Sequence, residues 1–109
     1  MDGFIIVFVT VGSSDEAEQL ARVLVEERLA ACVNRINGVQ SIYRWVGQVE
    51  ESEEDLLIIK SKSELFERLK QRVRELHSYS VPEIIALPVV DGNEEYLKWW
   101  EEQVEAGSK

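Results

Sequence analysis

The succession of hydrophobic patterns along 109 residues predicts an α+β protein of the ferredoxin-like βαββαβ type. The expected form is an antiparallel sheet with helices on one face, an extended hairpin between the second and third strands, and a C-terminal helix. Apolar runs at residues 4–11 and 56–59 read as strands covered on both sides, two stretches carry helical periodicity, and residues 39–46 alternate as a hairpin strand does. No linker, repeat or low-complexity segment divides the chain, so residues 1–109 are expected to form one domain.

The first strand, Phe4-Ile5-Ile6-Val7-Phe8-Val9-Thr10-Val11, is β-branched and aromatic without interruption. Ser13 with Glu16 fits a capping box, and Ala17, Leu20, Ala21, Leu24 and Val25 recur at helical spacing, which carries the first helix to about Leu29. From Cys32 to Val46 the chain extends again, with Val39, Ser41, Tyr43 and Trp45 on one face against Gln40, Ile42, Arg44 and Val46. A turn at Gly47-Gln48 and an acidic stretch from Glu50 to Asp55 lead into Leu56-Leu57-Ile58-Ile59, the third strand.

Ser61 with Glu64 offers a second capping box, followed by the stripe Leu65, Phe66, Leu69, Val73 and Leu76, with the helix ending near His77. Ser78 to Pro82 make a turn. Ile84 to Val90 form the fourth strand, which Pro88, with no N–H for a ladder, confines to a sheet edge or a bulge, and the ferredoxin-like order puts it at an edge. Asn93 caps a last helix with Glu94 and Glu95 in its first turn and Tyr96, Leu97, Trp100 and Val104 facing inward, and residues from Ala106 on should fray. Two open edges and the aromatic hairpin arm call for cover that one small sheet lacks, so pairing with other copies of the chain is expected.

Composition narrows the partners. Twelve Lys and Arg stand against 21 Asp and Glu, a formal charge of −9, and no two basic residues are adjacent. Such a chain is repelled by phosphate backbones and anionic headgroups, which leaves no nucleic acid and no membrane among its expected partners. The single cysteine, Cys32, allows no disulfide within the chain, and the N-terminal apolar run is too short for a signal-peptide core, so the expected location is cytoplasmic.

The acidic run of the hairpin suits a hard cation but lacks the Gly and ligand spacing of an EF-hand, and reads first as a wet surface. Cys32 sits in an apolar Ala30-Ala31-Cys32-Val33 setting. His77, the only imidazole, stands at a helix end, as a capping or packing ring or as a ligand. If the two meet, soft sulfur with imidazole favours copper. Gly12 is alone where a phosphate loop needs several glycines, and no Gly-x-Ser-x-Gly elbow supports a triad, so no enzyme is expected. Tyr43 with Trp45, and Trp99 with Trp100, either stack on a ligand or fill a core or subunit interface, the interface being favoured.

Four segments are more specific. Arg28-Leu29-Ala30-Ala31-Cys32-Val33-Asn34, Ser41-Ile42-Tyr43-Arg44-Trp45-Val46-Gly47, His77-Ser78-Tyr79-Ser80-Val81-Pro82-Glu83-Ile84 and Tyr96-Leu97-Lys98-Trp99 closely resemble the CutA divalent-cation tolerance family. The resemblance implies a homotrimer of ferredoxin-like protomers whose hairpin arms pair between subunits, similar in build to the nitrogen-regulatory signalling trimers. It also implies a link to copper and other divalent metal ions, through a Cys near the end of the first strand and adjacent His residues at the end of the second helix. In this chain those positions carry Val9, Leu76 and His77, and Ser78 replaces a common proline. The metal candidates are therefore His77, Cys32 and Glu83, with copper or another divalent cation held weakly and no cofactor required for folding. The interface or cleft candidates are Tyr43, Trp45, Tyr79, Pro82, Tyr96 and Trp99. Two functions compete: a metal-binding trimer, and a non-enzymatic trimeric signalling module that binds a small ligand near Tyr79, Glu83 and Trp99. An acylphosphatase-like enzyme lacks its phosphate-cradling Arg after the first strand, and an RNA-binding domain is disfavoured by charge.

Overall fold

The computed structural model describes residues 3–104. Its elements are β1 (Phe4–Val11), α1 (Ser14–Glu26), β2 (Cys32–Trp45), β3 (Gln48–Lys62), a 3-10 turn (Ser63–Leu65) running into α2 (Phe66–Leu76), β4 (Ile84–Pro88) and α3 (Glu94–Gln103). The strands lie in the order β2-β3-β1-β4, every neighbouring pair antiparallel. This is the ferredoxin-like α+β arrangement, with β2 and β4 at the edges.

Side chains of β1 alternate between the two faces of the sheet. Ile5, Val7, Val9 and Val11 join Leu57 and Ile59 of β3 and pack beneath Ala17, Leu20 and Leu24 of α1 and Leu69 and Val73 of α2. The opposite face carries Phe4, Ile6, Phe8 and Thr10, paired with Lys62, Lys60, Ile58 and Leu56. Only α1 and α2 share a face. The short α3 covers one end of the other, where Trp100 meets Phe4 edge-on at 5.2 Å and its Nε1 donates to Ser61 O at 3.0 Å. Leu97, Trp100 and Val104 are buried there, whereas Tyr96, expected inward, is half-exposed because its hydroxyl accepts from Lys60 Nζ at 3.1 Å at the rim.

Three boundaries differ from the sequence reading, each for a local reason. Ser13 caps α1 as expected, its Oγ accepting from Glu16 N, but the helix stops at Glu26 because Arg28 turns left-handed at φ 62°. Arg28 N then donates to Val25 O and Leu29 N to Leu24 O, a Schellman closure usually built on Gly. Arg28 offsets the cost of that conformation by donating its guanidinium to Glu102 O and Gln103 O at 2.7 and 3.1 Å, which caps the C-terminus of α3. Ser61 does not cap α2. It lies buried within β3, donating to Leu29 O at 2.7 Å, and α2 begins through the 3-10 turn with no side-chain cap. β4 ends at Pro88, short of Val90, with Val89 N making one further bond to Phe4 O. Asn93 caps α3 by accepting from Glu95 N. The expected fraying from Ala106 onward lies outside the described residues.

The hairpin arm is longer than the apolar pattern suggested, since the acidic stretch from Glu50 to Asp55 belongs to β3 itself. Its turn falls at Val46-Gly47, one residue earlier than expected, with φ of 50° and 76° between the opposed residues Trp45 and Gln48. Two positive φ values in a two-residue loop are the signature of a type I′ turn, whose twist matches that of the strands. A bulge at Asn37-Gly38 sets two residues against Asp55 alone, with Gly38 at φ 73°. It shifts the parity of β2. Cys32, Asn34 and Ile36 before it and Val39, Ser41, Tyr43 and Trp45 after it therefore share one face.

Candidate functional site

The segment joining α2 to β4 wraps the end of β1, and hydrogen bonds hold its first half. His77 is buried, its Nε2 set 2.7 Å from Thr10 O and its Nδ1 accepting from Tyr79 N at 3.0 Å. An Nδ1 that accepts and an Nε2 beside a carbonyl define one neutral tautomer, Nε2–H. Glu16 accepts from Ser78 N at 2.6 Å through Oε2, which lies 3.7 Å from His77 Nδ1.

These bonds deliver Tyr79. Its ring tilts against His77 at 4.7 Å and passes so close to Gly12 that a Cβ there would stand 2.9 Å from the hydroxyl. The hydroxyl donates to Glu54 Oε2 at 2.8 Å. Burial, then the bond to the Glu54 carboxylate, pushes the phenol up to about 12. Glu54 is itself 8% exposed, although it stands in the acidic run expected to be wet.

Between this segment and the arm lies a cleft of about 600 Å³, lined by Tyr43 and Trp45 from the arm, Tyr79 and Glu83 from the loop, and Thr10 and Glu54 from the central strands. Four of the six aromatic and proline candidates are in or beside it: Tyr43, Trp45 and Tyr79 line it, and Pro82 lies within the loop beside it. Tyr96 and Trp99 do not line it. They stack on each other at 5.4 Å on α3, and Lys60 Nζ lies 5.4 Å from the Tyr96 ring. Thr10, Glu54 and Glu16 escaped the sequence reading, because each stood in a stretch already explained as strand, charge run or cap. The signal for Glu54 was its place two residues before the buried run that starts at Leu56, on the same face of the strand.

The metal candidates do not converge within the chain. His77 spends both ring nitrogens on the backbone. Cys32 lies at an edge strand opposite Lys60, its Sγ 4.0 Å from Asn34 Oδ1, and Glu83 is exposed on the cleft. Val9 is buried in the core and Leu76 packs against that core, so two of the three copper positions that the resemblance implies hold apolar side chains. Among the described residues no three His, Cys, Asp or Glu side chains gather as a metal site. The implied copper site does not fit this chain.

The family model described as CutA1 divalent ion tolerance protein matches residues 5–103. The chain belongs to that family. It is 54% identical over 97 residues to the divalent-cation tolerance protein CutA of Thermus thermophilus, covering 89% of this chain and 94% of that one. The structure of the Thermus thermophilus protein superposes with a TM-score of 0.92 at 51% identity, over 94% of this chain and 99% of the other. CutA1 from Oryza sativa superposes at 0.93 with 41% identity, covering 95% of each chain. The chain spans about half the length of its plant and human relatives. CutA1 membership accounts for the ferredoxin-like sheet and long hairpin; the roles of Tyr79, Glu54 and His77 come from the contacts described above.

Proposed function

We propose that this CutA1 chain acts as a homotrimeric, non-enzymatic protein of divalent-cation tolerance in the cytoplasm, meeting copper and other divalent ions weakly and needing none to fold. The observation that carries the assembly is the bare half of the sheet. Beyond the reach of α3, Ile36, Ile85 and Leu87 remain 45 to 48% exposed around half-buried Phe8 and Ile58, all on one face of the sheet. A continuous apolar face of this kind marks an interface. Three copies close a ring, whereas an open pair leaves edges free. Weak metal contact follows from the donors that stay accessible, chiefly the carboxylates of the arm and Glu83, because the buried imidazole is already bonded. Light scattering should return three times the 12.5 kDa chain mass, and copper titration should give a dissociation constant weaker than about 1 μM. A monomer mass, or chelator treatment that unfolds the protein, overturns the respective half.

A second reading is favoured by the cleft. A cavity of this volume, walled by three aromatic rings of which Tyr79 is held in place by its bond to buried Glu54, suits a small ligand better than a solvated surface. In that reading the trimer is a binding or signalling module.

A further inference from the structure

Resting on the small-ligand reading, we propose that the cleft takes a small organic cation, an alkyl or methylated ammonium compound. Its walls supply three aromatic rings, Tyr43, Trp45 and Tyr79, and two carboxylates, Glu54 and Glu83, and no Lys, Arg or His is among the lining residues. Ring faces and carboxylates attract the same partner, a desolvated cation, and repel an anion. The charge of Glu54 is set in a side chain that is more than nine-tenths buried and fixed by the Tyr79 hydroxyl. Tyr79 is in turn wedged between Gly12 and His77, so this wall of the site, with Glu54, is organised before anything binds. A bare metal ion fits poorly. Two carboxylates fall short of the six to eight oxygens that calcium takes, and about 600 Å³ is the space of a small molecule, with ring faces where a metal would need donors.

The test uses the assembled protein, with choline as the probe and, as control, its neutral isostere in which tert-butyl replaces trimethylammonium. Calorimetry should give saturable choline binding with a dissociation constant below about 1 mM, at least about tenfold tighter than the isostere. Glu54→Gln keeps an acceptor for Tyr79 but removes the charge, and should weaken choline about tenfold while the isostere is unaffected. Glu83→Gln, at an exposed position, should weaken choline in the same sense and serves if Glu54→Gln fails to fold. Equal binding of the two probes, or choline binding unchanged in both variants, overturns the cation class and spares the small-ligand reading. No binding of either probe by the folded protein overturns both.

Discussion

Tyr79 shows how a single side chain joins the fold to the cleft. Its hydroxyl is bonded to Glu54, its amide to His77 and its ring edge lies on Gly12, so the residue links the loop, β1 and β3. The phenol is raised from 10.0 to about 12, chiefly by burial. For a group whose folded value is raised, the stabilisation is fully present below the unfolded value and is lost as pH climbs through the folded one. Chemical denaturation of the native protein should therefore show a stability decline between about pH 10 and 12 that Tyr79→Phe lacks, with the variant less stable by about 1 kcal/mol at neutral pH. Parallel pH profiles for the two proteins would remove Tyr79 from this role. None of these bonds was visible in the sequence. Tyr79 and Glu54 are 25 residues apart, and nothing in an acidic run marks which of its members the fold will bury. His77 was legible as a helix-end residue, but its two backbone partners depend on where the chain goes next.

At the scale of elements, legibility followed periodicity. β1, α1 and α3 have patterns that one local rule explains, and their starts fall where Phe4, Ser13 and Asn93 indicated. Pairing across the sheet decided the rest: Ser61 resembles a cap until β3 carries it into register with Ile5, and the bulge appears only when Asn37-Gly38 is set against its partner strand. The turn is the least obvious case. Its first residue, Val46, is β-branched, 85% exposed and held at φ 50°, a conformation that Asn adopts more readily. Val46→Asn should relieve that conformation and raise stability by about 0.5–1 kcal/mol, read as a higher thermal midpoint with the assembly unchanged. A lowered midpoint would mean that the exposed valine is instead covered in the assembled protein.

For the whole molecule, two forces would oppose each other in the proposed trimer. Each chain carries a formal charge of −9, so three chains would gather 3 × (−9) = −27, and the repulsion must be outweighed by burial of the bare sheet face. Added salt screens the first term and strengthens the second, so association should tighten from low to moderate ionic strength. Ile85 separates the two contributions. It pairs with Phe8 on the uncovered face and is 48% exposed. Ile85→Lys lowers the chain's net charge from −9 to −8 and so eases repulsion, yet it would place an unpaired ammonium inside the interface, which costs several kcal/mol. If the apolar face drives assembly, this variant should sediment as a folded monomer at concentrations where the native protein sediments as the proposed trimer. If it remains a trimer, the face around Ile85 is open to solvent in the assembly and the subunits meet elsewhere, with the arm residues Tyr43 and Trp45 as the first alternative to test by Trp45→Ala.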